Sequence, residues 1–288
     1  MSPKRLIVNA DDYGDTPGIS RGILEAHHKG VVTSTSVMIG SPGAPMAVQD
    51  AMKSAPDLGL GLHLTLSGTG KRPILPAERV PSLVQADGTF YPFEQWLAHY
   101  DKFDVEEISQ ELMAQCDCFT DIAGRPPDHL DGHHHVVYRH PAALRTLFSL
   151  AERYQVPIRN PGFGNIDLTL TGLLSGVPDL IRQSNLTALK ALLEENLGEN
   201  TVRWPGRFEA DFYDSAATLG DLLLILTNLP DDSTTELMCH PGYVDEMLQS
   251  DYTTKREDEL KVLTHRSVRE VIAAEDITLI SYSALQDS

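Results

Sequence analysis

The sequence predicts an α/β fold, an irregular (β/α) barrel of the TIM-barrel type, from three observations. Short apolar or β-branched segments alternate with amphipathic segments along the whole chain, which is typical of parallel strands covered by helices. About eight such units fit into the chain, the number that closes a barrel. No linker-like boundary and no repeat interrupts the alternation, so we expect a single domain over residues 1–288. An open doubly wound sheet is the alternative architecture.

The predicted strands are short and rich in apolar or β-branched residues. They are Leu6–Val8, Val31–Ile39, Leu58–Leu66, His129–Val137, Pro157–Arg159, a segment within Arg203–Phe212, Glu236–His240 and Thr278–Tyr282. The predicted helices follow apolar residues at helical spacing and the cap residues around them. They are Thr16–Lys29, Pro42–Ser54, Val105–Gly124, Leu144–Ala151, Leu168–Leu174, Asp179–Leu197, Leu219–Leu226 and Lys255–Ala274.

Two irregular segments interrupt this order, at about residues 67–104 and 162–200. We interpret both as insertions, since long loops on a rigid scaffold often carry specificity. The first contains Tyr91, Phe93 and Trp96, which could stack on a ligand or anchor the segment to the core. Anchoring is the favoured interpretation.

Composition limits the partners of this protein. The formal net charge of −18 and the pI near 4.9 argue against a nucleic acid or an anionic membrane surface, and favour a neutral or cationic small molecule. No apolar run is long enough to span a membrane, and no long apolar signal follows Met1. An odd number of cysteines without such a signal fits reduced thiols, so we expect a cytoplasmic protein.

Acidic and histidine residues fall at the ends of several predicted strands. Asp11 and Asp12 follow the first strand, His63 lies near the end of the third, and His240 ends the seventh. In a barrel these strand ends face one shared mouth. Two adjacent carboxylates repel each other, so a metal cation or a shared proton must offset them. The alternative is that the Asp pair only forms a turn before the next helix.

The histidines favour a metal site. Strand alternation places His133 on the same face as His129 and Asp131, and we choose His133 as a ligand beside His63. Asp131 could orient a ligating histidine. Two imidazoles and one carboxylate suit zinc, although magnesium, manganese or another transition metal would also fit. Non-haem iron oxygenases use the same ligand set, but the second acid, Asp11, favours hydrolysis.

His240 precedes Pro241 and Gly242, a rigid turn that would present its ring at the strand end. Its unperturbed pKa lies near neutrality, so a general acid opposite Asp11 is one interpretation. The other is a turn histidine that is hydrogen-bonded to the backbone.

Five motifs together resemble the YdjC-like carbohydrate deacetylases, a group that includes chitooligosaccharide deacetylases. They are Asn9–Gly14, Thr33–Ser36, Gly61–Leu66, His129–His135 and Glu236–Gly242. Two positions depart from the family pattern: Tyr13 stands where phenylalanine is common, and Val136 where a further histidine is usual.

The resemblance implies a distorted (β/α) barrel that removes the acetyl group from an N-acetylated amino sugar or oligosaccharide with one divalent ion, Zn²⁺ or Mg²⁺. By position, it assigns the metal to Asp12, His63 and His133 and the catalytic base to Asp11. The acid role of His240 and a substrate contact by Arg159 are carried over in the same way. Another metal-dependent amide or ester hydrolase and a metal-dependent sugar-binding protein without turnover are the alternatives. The sequence leaves the oligomeric state open, with a homodimer among the options.

Overall fold

The computed structural model describes residues 4–199 and 202–286, and its seven described strands form one parallel sheet. The strands are β1 (Lys4–Tyr13), β2 (Ser34–Val37), β3 (Gly59–Leu64), β4 (Leu130–Gly132), β5 (Arg207–Glu209), β6 (Thr234–Cys239) and β7 (Ile277–Leu279). Their order is β4-β3-β2-β1-β6-β5, and β7 pairs with the beginning of β1. The predicted single domain includes residues 1–3, 200–201 and 287–288, which lie outside the described residues.

Helices follow most of the strands and cover the sheet. They are α1 (Pro17–Lys29), α2 (Ala44–Ser54), α3 (Phe93–Ala98), α4 (Val105–Ala123), α5 (Val136–Arg139), α6 (Pro141–Tyr154), α7 (Ile166–Leu173), α8 (Asp179–Glu199), α9 (Leu219–Thr227), α10 (Thr254–Leu263) and α11 (Arg266–Ala274). Local sequence explains their ends: the Thr16 hydroxyl caps α1, and α4 ends at Gly124, whose φ of 68° suits glycine. None of the helices within the described ranges is long and apolar enough to cross a membrane.

The segment Pro157–Arg159 contacts β4 at one edge of the curled, open sheet and a residue that precedes β5 near the other edge. On one side, Leu130 N donates to Pro157 O over 3.0 Å and Arg159 N donates to Leu130 O over 3.1 Å. On the other side, Ile158 N donates to Arg203 O over 2.9 Å, shortly before β5 begins. The predicted irregular barrel is therefore confirmed, although this segment forms only an isolated bridge instead of a strand.

The strand expected over His129–Val137 is wrong beyond its first residues. β4 ends at Gly132, and the chain turns through His134 and His135, whose φ angles are 52° and 55°, into α5. A Cβ at Gly132 would lie 2.5 Å from the Val137 side chain, so this close return requires glycine. His133 consequently lies on a turn after the strand, and strand alternation does not set its direction.

Two other expectations change in detail. The helix predicted over Lys255–Ala274 is divided into α10 and α11, because His265 caps the second helix by accepting a hydrogen bond from Ser267 N over 3.2 Å. The segment 162–200, of which Asn200 lies outside the described residues, is mostly helical through α7 and α8.

The aromatic residues of the first irregular segment pack against one another and against the turn after β4, since the Phe93 ring lies 5.0 Å from that of His134. Trp96 is buried and stacks on Phe103, and Tyr91 stacks on His99 at 4.4 Å between ring centroids. These contacts favour the anchoring interpretation.

Candidate active site

An irregularity in β1 brings both adjacent carboxylates to one cavity. The register between β1 and β2 shifts between Ala10 and Tyr13, and Asp12 has a φ of 74°, which is uncommon for a residue other than glycine. A regular strand would direct neighbouring side chains to opposite faces. Here Asp11 Oδ2 and Asp12 Oδ1 lie 3.9 Å and 3.6 Å from the same atom, His63 Nε2. The irregularity therefore allows two consecutive acids to share one site.

Asp12, His63 and His133 form a compact group of donor atoms, all within 4.8 Å of one another. Asp12 Oδ1 lies 3.2 Å from His133 Nδ1 and is buried, and it has no hydrogen-bond partner among the residues that the structure describes. Its other oxygen, Oδ2, accepts a hydrogen bond from Arg256 Nη2 over 2.6 Å. An unpaired buried carboxylate oxygen beside two imidazoles is the arrangement expected of a cation site.

His63 is oriented by a second carboxylate. Its Nδ1 lies 2.7 Å from Asp131 Oδ1, so Nε2 is the nitrogen that faces Asp12. Asp131 Oδ2 accepts from Ser36 Oγ over 2.7 Å. A carboxylate that fixes the outer nitrogen of a histidine is a regular companion of metal ligands. The orienting role expected for Asp131 agrees with this geometry.

Electrostatics keep the carboxylate of this group ionised. Burial alone would raise the pKa of Asp12, but Arg256 and His133 outweigh it and hold that pKa well below its usual range. Burial would lower the pKa of His63, but Asp131 and Asp11 raise it to about 9. A divalent ion would replace the proton that His63 otherwise carries, since metal ligands must be deprotonated. The donor set therefore fits one divalent cation.

Arg159 lies beneath the site and links three acids. Its guanidinium is fully buried and donates to Asp11 from Nη1 and Nη2 over 2.8 Å and 2.6 Å, and to Glu236 from Nε over 2.9 Å. Nη2 also lies 3.0 Å from Asp131 Oδ2. Arg159 and His63 keep the pKa of Asp11 lowered although burial alone would raise it. The guanidinium already supplies the positive charge between Asp11 and Asp131, so these two acids with His63 are a weaker candidate for a second metal.

The expectation that Arg159 contacts substrate stays a prediction. The structure does not place this side chain on the pocket wall, and its contacts favour orienting Asp11.

His240 follows β6 and faces Asp11, with 3.9 Å between His240 Nε2 and Asp11 Oδ2. Its backbone N–H donates to the buried carboxylate of Glu259. Burial lowers the pKa of His240 to about 4, more than the nearby Asp11 and Asp12 raise it. The imidazole is therefore neutral near pH 7 in this state, and it would have to receive a proton before it could act as an acid.

These groups line a pocket of about 280 Å³ at the carboxyl ends of the strands. Every predicted site residue except Arg159 lies on its wall: Asp11, Asp12, His63, His133 and His240. Tyr213, Tyr252 and Arg256 also line the pocket and are not among the site residues that the sequence predicts. No signal in the sequence marks them, because they come from loops and a helix start whose placement depends on the fold.

The other three histidines of the motif His129–His135 differ in their surroundings. His129 is fully buried and stacks on Tyr282 at 3.8 Å between ring centroids, outside the pocket wall. His134 and His135 line the pocket, and His134 Nδ1 is hydrogen-bonded to Ser67 Oγ over 2.9 Å.

Fold and site together define an irregular parallel β/α barrel with a candidate Asp/His metal site at its mouth. The chain belongs to the YdjC-like family, whose model matches residues 5–274. It is 37% identical over 292 aligned residues to a carbohydrate deacetylase of Enterococcus faecalis, with 99% of each chain covered. It is also 36% identical to a carbohydrate deacetylase of Brevibacillus brevis, over 98% of this chain and 99% of that one.

A solved structure with a similar level of sequence identity also supports the fold. A protein of Enterococcus faecalis, provisionally described as a cellobiose-phosphate cleavage protein, superposes with a TM-score of 0.80 at 35% identity. The match covers 99% of both chains. The YdjC-like resemblance predicted from the five motifs is thus confirmed.

Proposed function

We propose that this protein is a metal-dependent carbohydrate deacetylase that hydrolyses the N-acetyl group of an amino sugar or its oligosaccharide. One observation carries the proposal: the buried, unpartnered Asp12 Oδ1 lies beside His63 Nε2 and His133 Nδ1, directly next to a second ionised acid, Asp11. The names of the relatives that match over their full length suggest the substrate class, a carbohydrate, and the reaction, deacetylation.

Asp12, His63 and His133 would hold the divalent ion. When bound, such an ion lowers the pKa of a water molecule and polarises the acetyl carbonyl. Asp131 holds the His63 ring so that Nε2 faces the ion site, and Arg256 keeps the second oxygen of Asp12 occupied. These contacts fix the ligand geometry before substrate enters.

Asp11 would act as the base. Arg159 fixes its carboxylate with two hydrogen bonds, and Oδ2 remains directed toward the pocket at 3.9 Å from both His63 Nε2 and His240 Nε2. As water adds to the acetyl carbon, Asp11 takes one proton from it. His240, neutral at rest, receives that proton and donates it to the nitrogen as the C–N bond breaks, leaving acetate and a free amine.

The test is acetate release from a panel of N-acetylated mono- and oligosaccharides by the full chain. We expect activity that a chelator abolishes and a divalent ion restores. Asp11→Asn should keep the metal and lose at least about 100-fold in turnover, whereas His63→Ala should lose both. Asp50→Asn and His28→Ala, at exposed helix positions, serve as matched controls.

Other outcomes separate the alternatives. Sugar binding without acetate release would favour a binding protein, release of other acyl groups would favour a different amide or ester hydrolase, and oxygen consumption would favour an oxygenase. An Asp11→Asn variant with normal turnover would remove Asp11 from the base role.

A further inference from the structure

Tyr213 presents an aromatic ring at the pocket that the proposed reaction does not use. The residue is 44% exposed although it lies on the pocket wall. Its ring packs nearly parallel on Tyr252, with 4.4 Å between centroids and an angle of 10°. The edge contact with His240, 5.4 Å between centroids, places the ring beside the reacting groups. One face of Tyr213 is thus covered by protein, and much of the side chain remains open.

Hydrogen bonds fix this aromatic pair relative to His240. The Tyr252 hydroxyl donates to the Glu259 carboxylate and accepts from Asp214 N over 3.0 Å. Glu259 also accepts from the backbone N–H of His240. Tyr252 therefore connects Asp214, the residue after Tyr213, through Glu259 with His240, the residue that follows β6. A ring held in this way loses little conformational freedom when a ligand packs against it.

The same wall carries a buried donor that lacks a partner. Arg256 donates from Nε to Tyr252 O over 3.1 Å and from Nη2 to Asp12 Oδ2 over 2.6 Å. Its Nη1 is buried and unpaired within the part of the chain that the structure describes. The two hydrogen bonds that Arg256 does make hold the Tyr252 backbone near Asp12, which keeps the aromatic pair beside the site.

We propose that Tyr213 is a substrate-binding residue whose open face packs against the pyranose ring of the sugar. The inference rests on the proposed function for the kind of substrate, and it adds the group that recognises a ring. The face of an aromatic ring carries negative charge, so it attracts the C–H groups on the apolar side of a pyranose. An acyclic N-acetylated amine offers no such surface. Tyr213 should therefore discriminate between the two.

The experiment measures binding and turnover separately. Binding of N-acetylglucosamine oligosaccharides is measured by calorimetry on metal-loaded protein in an Asp11→Asn background, with Tyr213 kept or changed to Phe or Ala. Tyr213→Ala should raise the Kd about tenfold, while Tyr213→Phe, which keeps the ring, should stay within about twofold. Leu224→Ala, at an exposed position of α9, is the control. In the active enzyme, Tyr213→Ala should raise KM for the sugar by a larger factor than KM for an acyclic N-acetylated amine.

Two results would overturn the inference. One is an oligosaccharide Kd of the Tyr213→Ala variant equal to that of the Asp11→Asn parent, and the other is an equal rise in KM for sugar and acyclic substrates. Failure of the parent to bind any sugar would overturn it as well. A parent that binds sugar through Tyr213 while the unaltered chain releases no acetate would refute the proposed function and still support the aromatic contact.

Discussion

Asp131→Asn tests the metal site through a residue that is not itself a proposed ligand. Asp131 is fully buried, accepts the outer N–H of His63 over 2.7 Å and accepts from Ser36 Oγ over 2.7 Å. An asparagine can still accept from His63 with its carbonyl oxygen. Its NH₂ group would then face the Ser36 hydroxyl and the Arg159 guanidinium, which lies 3.0 Å from the present carboxylate oxygen.

The expected result is a 10- to 100-fold weaker metal affinity, about 1.4–2.8 kcal/mol, because His63 loses an anionic partner and becomes a poorer ligand. A chelator competition titration with Zn²⁺ and Mn²⁺ gives the dissociation constants directly. Ser36→Ala is the matched control, since it removes one hydrogen bond to Asp131 but leaves the carboxylate on His63. Ser36→Ala should weaken the metal affinity less than tenfold.

Thermal unfolding of the metal-free variants would establish that they fold. A folded Asp131→Asn protein whose metal affinity lies within threefold of the parent would refute this account of His63. Equal losses in Asp131→Asn and Ser36→Ala would also refute it, because the charge would then have no separate effect.

Two further predictions concern buried charges. Burial raises the pKa of Glu259 from 4.5 to about 7 in the folded protein, so this carboxyl binds a proton more tightly in the folded state than in the unfolded state. The ionised carboxylate therefore lowers stability as the pH rises from 4.5 to about 7. With a chelator present, urea denaturation gives the free energies of unfolding of Glu259→Gln and of the unaltered protein. The variant's value relative to the unaltered protein should increase by about 3 kcal/mol between pH 4 and pH 8. A difference that is constant with pH would contradict this prediction. Arg159→Met should destabilise the protein by about 3–5 kcal/mol at pH 7 by leaving three buried acids uncompensated, and less near pH 4; a pH-independent loss would indicate a packing effect alone.

The sequence was sufficient for the barrel and for the residues that meet at its mouth. Alternation of strands and helices is a local pattern, and parallel strands place their carboxyl ends at one edge, so Asp12 and His63 could be expected together. His133, which is predicted as a metal ligand, does lie on the pocket wall, but on a turn after Gly132 and not in a strand. Its role as a ligand stays a prediction. This turn depends on the close packing of the Val137 side chain against Gly132, a contact that the residue pattern does not reveal.

The parts of the site that escaped prediction are those with long-range causes. Arg256 lies 244 positions after Asp12, with which it pairs, and Tyr213 packs on Tyr252 and His240, which are distant from it in sequence. The neutral state of His240 likewise depends on burial, which no motif encodes. Local patterns can place a strand end, but charge pairing across the barrel is decided by packing.

The different environments of two consecutive acids explain how they take different roles. Asp11 Oδ1 accepts from Asn9 Nδ2 and from Arg159 Nη2, and Oδ2 accepts from Arg159 Nη1, so both oxygens are already engaged. Asp12 receives one guanidinium bond on Oδ2, and its Oδ1 is left without a partner in the described structure. A cation therefore gains more from Asp12, since it satisfies an orphaned buried oxygen there. A carboxylate oxygen has two lone pairs, so Asp11 Oδ2 can still accept one proton from the pocket side. One arginine is bound to each of these two acids, Arg159 to Asp11 and Arg256 to Asp12, and this difference favours Asp12 as the proposed ligand and Asp11 as the proposed base.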